Sequence, residues 1–260
     1  MFSHRLFGFG LAISLGMVSI FTPSPVRSAS LEDIQQRGKL IVAVKDNLRP
    51  LGFRAADGTL QGLEIDIARR LAQELLGDAE AVVLQPVSNV DRLRLILEDE
   101  VDLTIARVTE TDSRSRLVYL SIPYYLDGTG LITKDKSITR LAHLSSKTIA
   151  VLNGSSTIAV VQYKLPESNF VGVDSYQEAL TLLENGSADA FAADNSVLSG
   201  WVQEYPEYQM LPVRLSGEAL SVVMPKGLQY NQLHRRVEEA IAAWRKEGWL
   251  AQRAAVWGLP

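Results

Sequence analysis

Short apolar runs alternate with amphipathic segments along the first half of the chain, and this rhythm predicts an α/β fold. One segment carries leucine or isoleucine at every fourth position from Leu63 to Leu75, which predicts a helix with one apolar face. Gly77 is a suitable C-cap for this helix, and a second helix is expected after Asn89. The apolar runs that predict strands are 40–44, 81–84 and 103–106.

The same rhythm resumes in the second half. A helix is predicted after Gly154, and another over 176–183 with Ser175 and Glu178 as its capping box. The remaining helices are one through Leu198 and Trp201, and a long final one with Leu233, Val237, Ile241 and Trp244 on one face. The strands predicted here are 148–152, 170–173 and 190–193.

Two segments of similar pattern, 96–102 and 183–189, each run from a helix through a turn to an aspartate that precedes an apolar strand. This short internal repeat is consistent with two similar halves of the chain. No linker of low complexity separates the halves. A two-domain arrangement would therefore need chain crossovers between the lobes instead of a flexible tether.

The N-terminal segment has the layout of a secretory signal peptide. His4 and Arg5 precede an apolar run over 6–21, and prolines and small residues follow it up to Ser30. The run is shorter than the roughly 20 residues that a membrane-spanning helix needs, which disfavours a permanent anchor. We therefore expect export, with a signal peptide over residues 1–29.

Composition narrows the compartment and the partners. The sequence has no cysteine, which excludes disulfides, thiolate metal sites and a lipid-modified cysteine, so a soluble periplasmic protein is expected. The formal net charge is −4, and removal of Arg5 and Arg27 with the signal peptide leaves 24 basic against 30 acidic residues. A mildly acidic chain without basic runs has no electrostatic footprint for nucleic acid, so a small molecule is the expected partner.

Several kinds of reactive site are not expected. The histidines are His4, His143 and His234, and an exposed helix face is expected for His234 because it lies in a charged segment. A metal site or a histidine-based catalytic triad is therefore not predicted, and neither is a cofactor. The serines of 153–157 lack the Gly-x-Ser-x-Gly pattern of a nucleophile elbow, and no Gly-x-x-x-x-Gly-Lys phosphate loop occurs.

Polar side chains follow predicted strands at the end where open α/β sheets bind ligands. Thr109 and Arg114 follow the strand 103–106, and Asp194 follows the strand 190–193. An arginine can bind a carboxylate through two hydrogen bonds, and an aspartate suits an ammonium group. On facing lobes these residues would grip both charges of an amino acid. The alternative for each of them is an ordinary surface ion pair.

The segment 106–114 reads Ala-Arg-Val-Thr-Glu-Thr-Asp-Ser-Arg, and Leu-Ser-Ile-Pro-Tyr-Tyr follows at 120–125. Both resemble the hallmark of family 3 periplasmic solute-binding proteins, which runs Ala-Gly-Met-Thr-x-Thr-x-x-Arg and then Phe-Ser-x-Pro-Tyr-Tyr. Residues 31–44, 57–68 and 248–258 extend the likeness over nearly all of the chain after residue 29. The resemblance implies the two-lobed α/β fold of type II periplasmic binding proteins, with a ligand cleft between the lobes and two crossover strands as the hinge.

The resemblance also assigns roles to individual residues. It implies that Arg114 binds the α-carboxylate of an amino acid, helped by the Thr109 hydroxyl and by backbone amides near Arg107. It implies that Asp194 receives the α-ammonium group. Further contacts are implied from the start of a helix in the second lobe, at Ser156 and Thr157, and from Asp46 with its neighbouring loop, which would meet the ligand side chain.

The chain departs from the family pattern near the expected ligand. An aromatic residue usually follows the aspartate equivalent to Asp46, and here either Arg49 or Phe53 would fill that role. Arg107 stands where the family has a small residue, and Asp99 replaces a turn glycine. Two arginines beside one aspartate would favour glutamate, aspartate or glutamine over lysine or arginine. The alternative is that Arg49 points into solvent or pairs with Asp46, and that only the backbone of Arg107 faces the ligand.

We therefore expect one lobe from residues 30–127 and 217–260, the other from 128–216, and a hinge at the two crossovers. The predicted function is the periplasmic substrate-binding subunit of an ABC importer for a polar amino acid. We expect a monomer that delivers its ligand to a membrane permease and is not an enzyme. The alternatives are a soluble sensory module and an enzyme resembling cyclohexadienyl dehydratase, although the sequence identifies no proton-donating acid for the latter.

Overall fold

The computed structural model describes residues 30–260, and the predicted signal peptide lies outside the described residues. In this part of the chain no helix has the length and apolar character needed to span a bilayer. The α-helices are α1 (Leu31–Arg37), α2 (Leu63–Leu76), α3 (Asp91–Leu97), α4 (Asp112–Leu117), α5 (Thr157–Lys164), α6 (Tyr176–Glu184), α7 (Asn195–Glu204), α8 (Asn231–Lys246) and α9 (Trp249–Val256). The strands are β1 (Leu40–Val44), β2 (Asn47–Leu48), β3 (Gly52–Arg54), β4 (Leu60–Gln61), β5 (Val82–Pro86), β6 (Leu103–Ile105), β7 (Tyr119–Leu120), β8 (Tyr125–Asp127), β9 (Thr129–Thr133), β10 (Thr148–Leu152), β11 (Asn169–Val173), β12 (Ala190–Asp194), β13 (Gln209–Met210), β14 (Glu218–Leu220) and β15 (Val223–Met224).

The first sheet has the strand order β5-β1-β6-β15-β7. Strands β5, β1 and β6 are parallel, as expected for the alternation of strands and helices in this part of the sequence. Strand β15 pairs antiparallel with both β6 and β7. Because β15 comes from the C-terminal part of the chain, this sheet is discontinuous in sequence.

The second sheet has the order β11-β10-β12-β9-β13 and draws all its strands from residues between 129 and 210. The chain enters it through β8 and leaves it through β14, and these two strands pair antiparallel with Glu218 opposite Asp127. The predicted two-lobed α/β fold with two crossover strands is thus confirmed. The exact lobe boundaries, after residues 127 and 216, stay a prediction.

The two segments of similar sequence pattern, 96–102 and 183–189, adopt the same local structure. Asp102 accepts a hydrogen bond of 2.8 Å from a backbone N–H at the start of β1, and Asp189 accepts one of 2.8 Å from the start of β10. Three residues before these aspartates, the backbone is left-handed at Asp99 (φ +57°) and at Gly186 (φ +74°). Asp99 therefore occupies a turn position that favours glycine, as its place in the sequence indicated.

Helices cover the apolar faces of both sheets. The predicted stripes of α2 and α8 are buried together in one apolar cluster against the first sheet. In the second sheet, alternate residues of each strand face opposite sides. Ala190 and Ala192 of β12 belong to one cluster, whereas Phe191 and Ala193 belong to another. Both faces of this mixed sheet, in which β11, β10 and β12 are parallel, are therefore core, which is typical of α/β proteins.

His234 is buried, which corrects the expectation of an exposed helix face. Its ring stacks on that of Tyr119 with centroids 3.9 Å apart, and its Nε2 lies 2.8 Å from the carbonyl oxygen of Pro225. The charged neighbours of His234 are misleading, because helical spacing decides which side chains face the core. His234 lies three residues before Val237 and seven before Ile241, and therefore on the apolar face of α8.

Two smaller expectations also need correction. Strand β5 begins one residue later than predicted and continues to Pro86. Only half of the predicted capping box of α6 forms: Ser175 Oγ accepts a hydrogen bond of 3.1 Å from the Glu178 backbone N–H, but the Glu178 carboxylate accepts its own hydrogen bond from Asp174.

Replacement of Phe191 tests the second core. Phe191 is 0% exposed, and its ring centroid lies 5.3 Å from that of Trp201. Phe191→Ala should lower the free energy of unfolding by about 3–5 kcal/mol, because it removes buried apolar surface and leaves a cavity. Urea unfolding followed by circular dichroism measures this. Tyr163→Ala is the control, since Tyr163 is 80% exposed, and it should change the value by less than about 0.5 kcal/mol. Equal effects of the two substitutions would contradict the assignment.

Candidate ligand-binding site

A turn after β6 brings Arg107 to the carboxyl end of the first sheet. Its backbone is left-handed, with φ of +49°. The buried carboxylate of Glu64 holds this turn, because its Oε1 accepts hydrogen bonds of 2.6 Å from the Arg107 backbone N–H and 2.6 Å from the Tyr124 hydroxyl. Arg92 Nη1 donates to the carbonyl oxygens of Ala106 at 3.1 Å and Arg107 at 2.7 Å. The unfavourable backbone conformation is therefore fixed from within the first lobe.

The side chain of Arg107 crosses from the first lobe to the second. Its Nη2 forms an ion pair with Oδ2 of Asp194, the last residue of β12. Its Nε lies 3.6 Å from Oδ2 of Asp127 at the end of β8. The side chains of Arg107, Asp194 and Asp127 are 19%, 17% and 0% exposed. A largely buried ion pair therefore connects the carboxyl ends of the two sheets.

Three carboxyl groups surround the Arg107 guanidinium: those of Asp194, Asp127 and Glu218. Burial alone would lower the pKa of Arg107, but these three groups, Asp194 most strongly, raise it above the usual value. Burial raises the pKa of Asp194, although Arg107 acts in the opposite direction. Burial and the neighbouring Asp194 raise the pKa of Glu218. We call Arg107, Asp127, Asp194 and Glu218 the charge cluster, in which the Arg107 cation favours the ionised form of Asp194 and Glu218.

Thr109 and Arg114 lie together beside this cluster. Arg114 Nη1 donates to the Thr109 carbonyl oxygen at 2.7 Å and also to the Thr109 hydroxyl. No further hydrogen bond joins the Arg114 guanidinium to residues 30–260. Burial and the nearby Arg107 lower the pKa of Arg114. A partly buried guanidinium with unused donors is suited to an anionic ligand group such as a carboxylate.

A cavity of about 430 Å³ lies between the β2–β3 hairpin and helices α6 and α7. Asp46, Arg49 and Phe53 all line it. The Arg49 Cζ lies 3.7 Å from the centroid of the Phe53 ring, and Asp46 pairs with Arg54 at 3.2 Å between Oδ2 and Nε. Arg49 therefore stacks on an aromatic ring and does not pair with Asp46, which removes one of the alternatives left open by the sequence.

The hairpin rests directly on the second lobe. A Cβ atom added to Gly200 of α7 would lie 2.3 Å from the Arg49 carbonyl oxygen, so this approach requires glycine. Tyr176 of α6 lines the same cavity, and burial and then the Asp194 carboxylate raise its pKa. The cavity thus adjoins the charge cluster, and the two lobes touch at its edge.

Ser156 and Thr157 lie at the start of α5, away from the cavity lining and without a hydrogen bond to the charge cluster in the described chain. Ser156 is exposed, whereas Thr157 is 2% exposed. The neighbouring Ser155 hydroxyl is buried without a hydrogen-bond partner within residues 30–260. The helix start therefore offers backbone donors and one unpaired hydroxyl, but the structure does not join them to the other predicted site residues.

Sequence reasoning missed the roles of Glu64, Tyr176, Asp127 and Glu218. A signal existed for Glu64, because it lies three residues before Ile67 and therefore on the apolar face of α2, where an unpaired carboxylate would be costly. Asp127 and Glu218 fall in the predicted hinge, but only the pairing of β8 with β14 brings them together.

Comparison with known proteins identifies relatives over most of the chain. The model of the bacterial extracellular solute-binding proteins, family 3, matches residues 40–260. A glutamine-binding protein of Geobacillus stearothermophilus is 32% identical over 204 residues, which cover 77% of this chain and 78% of the relative. An ABC transporter glutamine-binding protein of Bacillus subtilis is 28% identical over 224 residues, covering 84% of this chain and 81% of the relative.

Solved structures with the same fold include amino-acid receptors. The solute receptor for L-cysteine of Neisseria gonorrhoeae superposes with a TM-score of 0.67 and 29% identity, covering 87% of this chain and 92% of the other. An ancestral arginine-binding protein bound to glutamine gives a TM-score of 0.64 and 27% identity, covering 85% of this chain and 98% of the other.

The pH dependence of stability tests the buried Glu64. Burial raises its pKa in the folded state, against hydrogen bonds from Tyr124 and Arg107. Its contribution to stability is complete below the usual value of 4.5 and is lost as the pH rises through the raised value. Glu64→Gln removes this titration, so the variant should gain stability relative to the wild type as the pH rises above about 4.5.

Urea unfolding of both proteins over a range of pH measures this difference. Glu239→Gln is the control, because the Glu239 side chain is 59% exposed, and it should show no comparable change with pH. A difference between wild type and Glu64→Gln that stays constant with pH would show that Glu64 does not titrate as proposed.

Proposed function

Since the chain belongs to the bacterial extracellular solute-binding proteins, family 3, we propose that it captures an amino acid between its two lobes for an ABC importer. The observation that carries this proposal is the arrangement of ligand-binding groups on facing lobes. Arg114 and Thr109 lie at the end of the first sheet, and Asp194 lies at the end of the second. The two glutamine-binding relatives support an amino acid as the ligand.

In this proposal Arg114 binds the α-carboxylate of the ligand with the donors that the protein leaves unused. The Thr109 hydroxyl and the backbone donors at Ser156 and Thr157 assist, because the N-terminus of a helix attracts anions. Asp194 receives the α-ammonium group. The two charges of the ligand are thus bound by different lobes, so that binding stabilises the closed form.

The ligand side chain would occupy the cavity of about 430 Å³ lined by Asp46, Arg49 and Phe53. The stacked guanidinium of Arg49 adds positive charge to this wall. Asp46 is already paired with Arg54, so its charge is largely compensated. This balance favours a polar or acidic side chain, such as that of glutamine or glutamate, over that of arginine.

We further propose that the lobes comprise residues 30–127 with 217–260 and residues 128–216, and that they open about the β8–β14 pair. The permease would then distinguish the closed form from the open one. The protein would act in the periplasm as a monomer after removal of residues 1–29, and would not transform its ligand. Turnover of prephenate or arogenate would contradict this last point.

Substitution of Arg114 tests its assignment to the α-carboxylate of the ligand. A thermal-shift screen of the protein without residues 1–29 against the proteinogenic amino acids should identify a ligand, which raises the melting temperature because it binds only the folded state. Arg114→Ala should then raise the dissociation constant of that ligand by about 10²–10⁴-fold, since it strands a buried carboxylate at a cost of about 3–5 kcal/mol.

Calorimetry on both proteins gives this ratio. Arg116→Ala is a matched control, because Arg116 lies on the same helix but is exposed, and it should leave binding unchanged. A dissociation constant of Arg114→Ala within about threefold of that of the wild type would refute the assignment of Arg114 to the ligand carboxylate. Absence of a thermal shift with every amino acid would refute the proposed function.

Removal of the Arg49 guanidinium tests the specificity assignment. Wild type should prefer glutamate and glutamine to arginine, and Arg49→Ala should narrow that preference by about 2–5-fold, because a charge pair at an exposed site contributes about 0.5–1 kcal/mol. A competition assay with the three amino acids measures the ranking. Preference of the wild type for arginine, or a ratio of glutamate to arginine affinity that is the same in the variant as in the wild type, would exclude Arg49 as a determinant.

A further inference from the structure

The proposed function assigns the Asp194 carboxylate to the ligand ammonium group, but this carboxylate is already paired with a cation of the same chain. Asp194 forms an ion pair with Arg107, which reaches it from the opposite lobe. We propose that the Arg107 guanidinium occupies the site of the ligand ammonium group and competes with the ligand for it. Arg107 holds the cleft closed in the absence of ligand, and an amino acid must displace it in order to bind. The competition, though not the closure, rests on the proposed function.

The charges of the cluster support this role. Asp194, Asp127 and Glu218 all lie close to the Arg107 guanidinium, and no other cation forms an ion pair with any of the three among the described residues. Without Arg107, three carboxyl groups from the second lobe and the two hinge strands would repel one another in a site sheltered from water. The Arg107 guanidinium therefore favours closure of the empty cleft, in addition to the contact between the β2–β3 hairpin and α7.

The backbone at Arg107 is held in place, which keeps its side chain close to Asp194. The turn at Arg107 is fixed by hydrogen bonds from its N–H to Glu64 and from Arg92 to its carbonyl oxygen, so only the side chain is able to leave. The Nε of Arg107 is buried without a hydrogen-bond partner within residues 30–260. The guanidinium thus fills the subsite electrostatically but does not satisfy all its own donors, as expected of a group that a better-fitting ammonium is able to replace.

Ligands with and without an ammonium group should therefore respond differently to Arg107. L-Glutamate and glutarate carry the same two carboxylates and differ only in the α-ammonium group. Glutamate has to displace Arg107 from Asp194, whereas glutarate leaves that ion pair intact. If Arg107 occupies the subsite in about nine of ten molecules, the apparent dissociation constant for glutamate is raised about tenfold.

The test is calorimetry with L-glutamate and glutarate on the wild type and on Arg107→Gly, a substitution that suits the left-handed backbone. The preference for glutamate over glutarate should increase by at least about tenfold in Arg107→Gly, because the ammonium subsite is then empty. Asp194→Asn should not show this increase in the preference for glutamate over glutarate. Asp99→Gly is the matched control, since Asp99 also has a positive φ but lies outside the cleft, and it should leave the preference unchanged.

Small-angle X-ray scattering without ligand tests closure independently of any ligand. The wild type and Asp99→Gly should have the smaller radius of gyration, and Arg107→Gly and Asp194→Asn the larger one. Equal radii for all four proteins, or a glutamate preference in Arg107→Gly equal to that of the wild type, would overturn the inference while leaving the proposed function intact. If neither ligand binds either protein, glutamate is not the ligand, and the scattering result alone decides whether Arg107 holds the cleft closed.

Discussion

The ion pair between Arg107 and Asp194 joins two sheets that share no strand. Arg107 follows β6 of the first sheet and Asp194 ends β12 of the second, so both groups lie at the carboxyl ends of parallel strands, where open α/β sheets bind ligands. Burial of either charge alone would be costly, and the pair is tolerated because the two partners neutralise each other. In the proposed function, the ammonium group of an amino acid would neutralise Asp194 in place of Arg107.

Much of the surrounding structure serves to hold these charges in place. Glu64 and Arg92 fix the turn that presents Arg107, and both act from within the first lobe. Asp127 is anchored by backbone hydrogen bonds of 2.9 Å from Gly128 and 3.0 Å from Ser196, so the end of the hinge strand β8 is tied to the start of α7. Because Arg107 pairs with Asp194 and also lies 3.6 Å from Asp127, the proposed exchange at Asp194 would take place next to the hinge.

The fold follows largely from local pattern, whereas the charge cluster does not. Periodic apolar positions predicted α2 and α8 and most strands, because the burial of one helix face dominates the structure of such segments. Arg107 was expected to alter specificity because it replaces a small residue, yet its contact with Asp194 depends on how two distant lobes approach. Glu218 and Tyr176 join the site through tertiary packing alone. His234 shows the opposite error, in which charged neighbours outweighed a helical spacing that places it in the core.

The central claim is that the charge cluster is the amino-acid site and that the ligand replaces Arg107 at Asp194. A crystal structure grown with the amino acid that gives the largest thermal shift tests it most directly. The ligand ammonium group should contact the Asp194 carboxylate, its carboxylate should contact Arg114, and the Arg107 guanidinium should have turned away. A ligand bound elsewhere, with the Arg107–Asp194 ion pair intact, would contradict the account.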